Sequence, residues 1–353
     1  MHEAVIVDVI RTPSGRGKPG GQLSDIHAVD LLAGVLETLV ERSDLDPATI
    51  DDVIAGCVSQ VGEQAYNIAR NAVLAAGFPD HVPGTTVDRQ CGSSQQAAMF
   101  AAQGVMTGQY DIAIACGVES MSRIPLGTSN AGMDRFGSRL RARYPEGLVN
   151  QGVSAELIAE KWGFDRHDLD EFAARSHRLA FESREAFATE IVATGGHTID
   201  ETVREGTTVE GLAGLNPAFR TDELAVRFPD IEWSITPGNS SPFTDGASAA
   251  LIMSAERAEK LGLTPRARFH AFSVTGSNPL YMLTGIIPAT KKILERSGLS
   301  LDDIDVYEVN EAFASVPLAW QKEFDTDPAK LNPRGGAIAL GHPLGASGTR
   351  LLT

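Results

Sequence analysis

The chain has 353 residues, 42% hydrophobic and 22% charged, which is usual for a soluble globular protein with room for two domains. Its 30 Lys and Arg face 46 Asp and Glu, and the net charge of -16 repels nucleic acid and anionic membranes, so we exclude nucleic acid as a partner. A phosphate-bearing ligand must therefore bind at a local basic or helix-end site. No apolar run approaches ~18 residues, which predicts no membrane insertion.

The three cysteines, Cys57, Cys91 and Cys116, have no metal-type spacing and leave an odd one over. This pattern predicts no metal site and favours a reducing compartment. The N-terminus enters a strand pattern almost at once and leaves no room for a signal peptide. We therefore expect a cytoplasmic protein.

Strand and helix patterns alternate in two stretches of the chain. In the first stretch the predicted strands are 4–9, 53–58, 85–88 and 111–117, and the predicted helices are 27–41, 67–76 and 92–108. In the second the strands are 267–275, 305–309 and a short piece near 331, and the helices are 286–295, 311–323 and from 343 onward. The alternation predicts layered α/β halves, each with a mixed or parallel sheet covered on both faces.

The two stretches are similar to each other. "ERSDLDPATIDDV" begins at Glu41 and "ERSGLSLDDIDV" begins at Glu295, each after an amphipathic helical pattern. When the two stretches are aligned in the register that follows these segments, Cys91 corresponds to His342, 251 positions later. We therefore predict two similar halves related by a pseudo-twofold, which bring the cysteine turn and the histidine turn together.

Residues 119–240 lack the alternation and contain loops and two amphipathic helices. We predict a first half at 1–118 and 241–263, an inserted domain at 119–240 that lies over a site, and a second half at 264–353. The second half is incomplete, because Thr353 corresponds to Ala102 in the middle of the first half's third helix. Since this would leave an exposed sheet edge, we expect the natural chain to continue beyond Thr353.

Cys91 lies in "VDRQCGSSQQAAMF", where a charged turn gives way to small residues and a helical pattern. We expect the thiol in the first turn of that helix, where the helix dipole and free N–H groups would stabilise a thiolate. The alternative is a buried small residue with no chemical role, which is the commoner fate of a lone cysteine.

His342 lies in "GHPLGASG", whose dense glycines indicate backbone held close to another group. It could instead be a loop histidine bonded to backbone. Asn310, in "VNEAF", is a further candidate polar group, although Asn is also a good N-cap for the helix predicted after it. His177 lies on an amphipathic helix and is assigned to packing or capping.

Other motifs do not carry a function. "GRGKPG" at 15–20 matches a dinucleotide-binding pattern, but it contains Pro19 and no helix follows until residue 27. The sequence has no G-x-S-x-G elbow, no GK[ST] phosphate loop and no H-E-x-x-H motif.

Six motifs together resemble the thiolase family of acyl-CoA C-acyltransferases: "DRQCGSSQQA", "GVESMSR", "LNPAF", "TPGNSSPFTDGASAALIMS", "VYEVNEAFA" and "GGAIALGHPLGASG". They occur in order along essentially the whole chain. The resemblance implies two βαβαβαββ halves in a five-layered α/β/α/β/α arrangement with an inserted loop domain. It agrees with the repeat and the insertion predicted from the residues.

The resemblance also implies a role for each candidate. Cys91 would be the nucleophile that takes the acyl group, His342 would activate its thiol, and Asn310 would help position a water in an oxyanion hole. Thiolate attack on the 3-keto carbon would expel acetyl-CoA, and a second coenzyme A would then accept the acyl chain. The backbone N–H of Cys91 would stabilise the developing negative charge.

Coenzyme A would enter along the loop domain, where Ser241, Ala312 and Phe313 match positions that line its pantetheine path. The expected partners are therefore acyl-CoA and coenzyme A, which are substrates, with no further cofactor. The family also implies a homodimer or homotetramer.

The sequence departs from the family pattern at two places. The second family cysteine, in a Gly-rich turn near the C-terminus, matches neither Cys57 nor Cys116. The chain as given should therefore accept an acyl group but be impaired in carbon–carbon bond chemistry. In addition, Asn150 and Gln151 stand where short-chain members resemble "HMG", which favours a bulkier acyl group, branched or ring-bearing, at this part of the substrate site.

"RTPSGRGKPGGQL" resembles the degradative branch, which favours a 3-ketoacyl-CoA thiolase of β-oxidation. Two alternatives stay open, a biosynthetic acetoacetyl-CoA thiolase and a non-catalytic acyl-CoA binding or carrier protein of the same fold. A ketoacyl synthase is less favoured, because Asn310 stands where that class has a second active-site histidine.

Overall fold

The computed structural model describes residues 2–353, which contain one mixed sheet of seven strands. The strands are β1 Ala4–Arg11, β2 Gly15–Arg16, β3 Asp52–Gly56, β4 Gly84–Val87, β5 Ile112–Ser120, β6 Thr244–Ser254 and β7 Ala267–Arg268. They lie in the order β4-β3-β5-β6-β1-β7, and β2 pairs with β6. The pairs β3–β4 and β3–β5 are parallel and the others are antiparallel.

The helices surround this sheet and fill the rest of the molecule. They are α1 Ala28–Arg42, α2 Ile68–Ala75, α3 Ser93–Thr107, α4 Gly137–Arg143, α5 Gln151–Trp162, α6 Arg166–Glu182, α7 Arg184–Phe187, α8 Val209–Ala213, α9 Asp222–Arg227, α10 Ala255–Lys260, α11 Ile286–Ser297, α12 Ser315–Phe324, α13 Ala337–Leu340 and α14 Ser347–Arg350. Across residues 2–353, none of them combines the length and the apolar character that crossing a bilayer requires.

The central strand β5 shows why the sheet is covered on both faces. It is buried along its whole length, and successive side chains point to opposite faces. Ile112 and Ile114 pack with α1 and α2, whereas Ala113 and Ala115 pack with the alanines of α3. Small side chains on the second face let α3 lie close to the sheet, which positions the turn that precedes α3.

The core of the second half is built from helices rather than from the predicted strands. Helices α5, α6 and α12 pack around Tyr307, Trp320 and Leu331. The predicted strand 305–309 makes one parallel bridge, between Tyr307 and Leu331, and the predicted strand 267–275 is limited to β7. In the first half β3 is paired on both sides, whereas within residues 2–353 the 305–309 segment is paired on one side only. With fewer ladder hydrogen bonds, it stays an extended segment.

The predicted helix 311–323 begins later than expected, at Ser315. The preceding residues bond to another part of the chain, since Ala314 N–H donates to the Asn239 carbonyl at 2.9 Å. Ser241 N–H likewise donates to the Ala312 carbonyl at 3.0 Å. These tertiary bonds compete with the helix for the same backbone groups and hold the 310–314 segment open.

The region between β5 and β6 is tied to β1 by a buried charge network. Arg11 Nε bonds to Glu190 at 2.6 Å, and Arg11 Nη1 bonds to Asp200 at 2.7 Å. All three side chains are buried, and Ser14 N–H also donates to Asp200 at 2.8 Å. Removing Arg11 would leave two carboxylates without a cation in an apolar interior.

The 341–347 segment lies against the ends of β3 and β5 with backbone in contact with backbone. A Cβ added at Gly345 would lie 2.6 Å from the Gly56 carbonyl oxygen and even closer to that of Val118. A Cβ added at Gly117 would in turn overlap the Gly345 carbonyl. This contact therefore requires glycine on both sides.

We expect Gly345→Ala to lower the free energy of unfolding by about 1–3 kcal/mol or more, because backbone atoms cannot move aside for the methyl group. Gly34→Ala is the matched control, since Gly34 lies within α1 with nothing within 4 Å of an added Cβ. That change should stabilise the chain by roughly 0.5–1 kcal/mol. Urea unfolding of both variants checks this, and equal stabilities would contradict the contact.

Candidate active site

The Cys91 turn is a strained loop that precedes α3. Gln90 has a φ of 50°, in the left-handed region that non-glycine residues seldom adopt. Side chains hold the turn, because Gln90 N–H donates to Asp88 at 2.7 Å and Arg89 N–H donates to Ser93 Oγ at 2.9 Å. Cys91 is half-buried, whereas Cys57 and Cys116 are fully buried. The prediction that Cys91 lies in the first helical turn is wrong, since α3 begins at Ser93 and Gly92 is its N-cap.

The environment of Cys91 favours the neutral thiol. Burial and then the negative charge of Glu119 raise the pKa of Cys91 to about 11. Hydrogen bonds from its own backbone N–H and from the Gln151 side chain act in the opposite direction. The expectation of a thiolate stabilised by the helix end is therefore wrong for the free protein, and a base must remove the thiol proton.

His342 is a buried neutral base, with a side chain 4% exposed. Burial and then the positive charge of Arg350 lower the pKa of His342 to about 3. Its backbone N–H donates to Thr244 Oγ1 at 3.0 Å, which fixes the start of the loop. At neutral pH the imidazole is uncharged and can accept a proton.

The hydrogen bonds of the imidazole define its tautomer. Ser347 Oγ can donate its single proton to the Pro343 carbonyl at 2.9 Å. If the serine proton goes to this carbonyl, the 2.6 Å contact between Ser347 Oγ and His342 Nδ1 uses the proton on Nδ1. Nε2 then carries the lone pair, to which the Asn310 amide donates at 3.3 Å. Sequence reasoning missed Ser347, since a serine in a glycine-rich turn carries no signal of this role.

Asn310 is joined to His342 and is not a helix cap. The residue that precedes α12 is Ala314, so the N-cap alternative is wrong. Asn310 Oδ1 is buried without a hydrogen-bond partner among the described residues, which leaves an acceptor for a substrate group or a water. The adjacent Glu311 is fully buried and accepts bonds from Ser176 Oγ at 2.6 Å and Asn332 Nδ2 at 2.9 Å.

The histidine loop is anchored to the cysteine side of the molecule. Thr349 N–H donates to Ser94 Oγ, in the first turn of α3, at 3.0 Å. Gly345 N–H donates to Glu119, near the end of β5, at 2.9 Å. Within residues 2–353 no hydrogen bond joins the Cys91 thiol to the His342 imidazole directly, so that thiol–imidazole contact stays a prediction.

The predicted coenzyme A positions lie on two adjoining segments. Ser241 Oγ donates to the Ala312 carbonyl at 3.0 Å, and Phe313 bridges to Ser240. The Phe313 ring meets the edge of Phe219, with centroids 5.9 Å apart. Their contact with coenzyme A stays a prediction.

Asn150 and Gln151 have different surroundings. Asn150 caps α5, since its Oδ1 accepts from Val153 N–H at 3.0 Å, whereas the Gln151 side chain is one of the groups that lower the pKa of Cys91. Of the two, Gln151 is therefore next to the chemistry. Their roles in selecting the acyl group stay predictions.

A cavity of about 260 Å³ with a basic lining adjoins the 237–243 segment. Arg16, Lys18 and Arg204 line it, together with His177. Burial and then the charge of Arg204 lower the pKa of His177 to about 4, so the ring is neutral and its Nδ1 accepts from Arg204 N–H at 3.2 Å. In a chain of net charge -16, this is a local basic site of the kind that a phosphate group requires.

Comparison with known families matches two adjacent profiles along the chain. "Thiolase, N-terminal domain" matches residues 4–256, and "Thiolase, C-terminal domain" matches residues 263–353. The chain belongs to the thiolase family. The predicted family and the acyl-CoA C-acyltransferase class are thereby confirmed.

Relatives along the whole length of this thiolase support the assignment. It is 46% identical to a steroid 3-ketoacyl-CoA thiolase of Mycobacterium tuberculosis, over 100% of the chain and 87% of the relative. It is 45% identical to a 3-ketoacyl-CoA thiolase of Idiomarina loihiensis, over 100% and 92%. The crystal structure of the Bacillus anthracis acetyl-CoA acetyltransferase matches with a TM-score of 0.86 and 37% identity, over 100% and 91%. That match confirms the predicted thiolase-like α/β fold.

We expect iodoacetamide to label Cys91 of this thiolase before Cys57 and Cys116, because Cys91 alone among the three is not fully buried. Since the pKa of Cys91 is raised to about 11, the thiolate fraction and the labelling rate should rise about tenfold per pH unit below that value. Peptide mass spectrometry over a pH series measures the rate. In urea all three thiols should react alike, and equal labelling in the native protein would contradict this assignment.

Proposed function

We propose that this chain cleaves a 3-ketoacyl-CoA by thiolysis to acetyl-CoA and a shortened acyl-CoA, through an acyl group carried on Cys91. The observation that carries the proposal is the neutral, buried His342 imidazole, whose Nδ1 lies 2.6 Å from Ser347 Oγ and whose Nε2 lies 3.3 Å from the Asn310 amide. A neutral thiol beside a neutral base suits proton transfer coupled to nucleophilic attack.

In the first step His342 Nε2 takes the thiol proton while the Cys91 sulfur bonds to the 3-keto carbon of the substrate. The C2–C3 bond then breaks, and its electron pair stays on C2 of the acetyl-CoA fragment. C2 takes up one proton, which balances the thiol proton taken by His342; the family pattern assigns its delivery to a second cysteine. Cys57 and Cys116 do not match that position and are fully buried.

In the second step the thiol of coenzyme A attacks the acyl group on Cys91. The coenzyme A thiol loses its proton, the bond between the acyl carbon and the Cys91 sulfur breaks, and the sulfur regains a proton. Oxyanions form at the carbonyl in both steps, and the Cys91 backbone N–H and the group bound at Asn310 are the proposed donors.

The degradative direction is supported by the relatives, since those named 3-ketoacyl-CoA thiolase are 45–46% identical and the acetyl-CoA acetyltransferase is 37% identical. We propose a bulky acyl group, branched or ring-bearing, which the resemblance to a steroid-named relative and the unusual Gln151 support. A biosynthetic acetoacetyl-CoA thiolase is the second candidate. Relative kcat/KM for acetoacetyl-CoA and for long or ring-bearing 3-ketoacyl-CoA distinguishes them.

We place the phosphates of coenzyme A at the basic cavity. Its lining includes Ser240 and Phe243, which flank the Ser241 position on the proposed pantetheine path. A thiol seated near Cys91 and a pantetheine chain along Ser241 would bring the phosphate-bearing end toward Arg204 and Lys18. Both side chains are exposed and have no salt-bridge partner within residues 2–353.

Three further assignments are part of the proposal. The reaction needs no cofactor besides coenzyme A, because sulfur and imidazole supply the nucleophile and the base. The chain acts as a homodimer or homotetramer, which the unpaired outer edge of β4 within residues 2–353 supports. It acts in the cytoplasm, which three unpaired thiols support.

We expect His342→Gln to lower kcat by about 10²–10⁴-fold and to abolish the acyl adduct on Cys91, because the base is lost. His81→Gln is the matched control, since His81 is exposed and bonds only to the Ala48 carbonyl. Mass spectrometry of the adduct after mixing with 3-ketoacyl-CoA measures the first step alone. Binding of acyl-CoA without any adduct on the unmodified chain would favour the carrier alternative.

We expect Arg204→Gln and Lys18→Gln each to raise KM for coenzyme A roughly two- to fivefold, as exposed charge contacts contribute up to about 1 kcal/mol. Both variants should leave KM for N-acetylcysteamine unchanged, since that thiol lacks phosphates. Arg178→Gln, which removes an exposed arginine paired with Glu182 on α6, is the control. Equal effects on both thiols would contradict this placement.

A further inference from the structure

We propose that Glu119 is a positioning residue of this site: its buried carboxylate clamps the loop that carries His342 to the segment after β3. This inference rests on the proposed function, because it assigns Glu119 to the reaction of Cys91 and His342. Glu119 does not touch the imidazole or the thiol through a hydrogen bond, so it acts through other groups.

The Glu119 carboxylate has four donors. Oε2 accepts from Val58 N–H at 3.0 Å and from Gly345 N–H at 2.9 Å. Oε1 accepts from Ser59 N–H at 3.0 Å and from Gln64 Nε2 at 2.9 Å. The side chain therefore joins the segment after β3 to the residue that lies three positions after His342.

These donors require the ionised form of Glu119. All four are N–H groups, so a proton on either oxygen would point at a donor and lose a bond. The side chain is fully buried, and burial raises the pKa of Glu119 although its hydrogen bonds oppose that effect. No salt bridge compensates its charge within the described chain. A buried unpaired charge costs stability, and the four N–H donors offset that cost.

Its charge also acts on the nucleophile. After burial, Glu119 is the largest cause that raises the pKa of Cys91. The other charged group that raises it is Asp88, on the turn itself, and the facing His342 is neutral. A protonated thiol resists oxidation and alkylation, and it ionises when the base takes its proton during attack. Glu119 therefore acts on both partners of the reaction. Its charge disfavours the Cys91 thiolate at rest, and the hydrogen bond that it accepts from Gly345 N–H holds the loop of His342, the base that generates the thiolate.

Glu119→Gln and Glu119→Asp separate the two effects. In Glu119→Gln the charge is lost and the amide can satisfy fewer of the four donors. The pH midpoint of Cys91 labelling should fall by about one unit, and kcat should fall roughly 10²-fold because the base is displaced. In Glu119→Asp the charge stays but the shorter side chain does not reach Gly345. The labelling midpoint should then stay at the unmodified value, while kcat falls with KM little changed.

Glu156→Gln is the matched control. Glu156 is also a buried carboxylate, and it accepts from Ser234 N–H at 2.8 Å and Ile235 N–H at 2.9 Å. The loss of this carboxylate should lower the melting temperature without moving the midpoint of Cys91 labelling. A change in the midpoint that is specific to Glu119→Gln cannot come from general destabilisation.

The outcomes distinguish this proposal from the proposed function. An unmodified chain that forms no acyl adduct on Cys91 would refute the proposed function, whereas the labelling midpoints would still test the effect of Glu119 on the thiol. An unchanged midpoint in Glu119→Gln, or a kcat in Glu119→Asp equal to that of the unmodified chain, would overturn the role of Glu119. If Glu119→Gln does not fold, the kcat and KM of Glu119→Asp decide.

Discussion

The contact between Gly345 and the ends of β3 and β5 is the constraint on which the site depends. Backbone meets backbone there, and no side chain fits at Gly56, Gly117 or Gly345. A contact of this kind has little freedom, because it lacks the flexible groups that absorb small displacements. The positions of the cysteine turn and the histidine loop are therefore set by the fold itself rather than by a bond between their side chains.

The environment of the site favours the uncharged form of both Cys91 and His342. Burial and neighbouring charges raise the pKa of Cys91 and lower that of His342, so both groups are uncharged before substrate arrives. An ion pair at rest would require solvation that the buried imidazole lacks. The negative charge on the Cys91 sulfur arises only as its proton moves to His342 and the sulfur attacks the substrate carbonyl. The reactive thiolate is therefore confined to the complex with substrate.

The sequence predicted much of the fold and the residues of the site, for identifiable reasons. The continuous apolar run of β5 and the amphipathic pattern of α1 depend on local periodicity, which a sequence displays directly. The repeat led to His342 as the partner of Cys91, and the structure bonds the segment after His342 to the first turn of α3, which follows Cys91. The start of α12 could not be predicted, because bonds to Asn239 and Ser241 from a distant segment delay it.

The same reasoning explains what was missed at the site. The state of the Cys91 thiol depends on burial and on Glu119, and neither is visible in the turn sequence. The tautomer of His342 depends on its contact with Ser347 Oγ, and the sequence of the turn does not show that contact. Glu119 did leave a signal, as an acidic residue near the end of a buried and mostly apolar strand, and its partners lie after β3 and at Gly345.

The buried network of Arg11, Glu190 and Asp200 has a consequence for how this chain can be recombined. The guanidinium belongs to β1, whereas both carboxylates belong to the segment between β5 and β6. A chimera that exchanges that segment with a relative inherits the ion network only if the donor brings two carboxylates to the same places. Without them the buried guanidinium of Arg11 has no partner. The segment and β1 must therefore be exchanged together, although 179 positions separate Arg11 from Glu190.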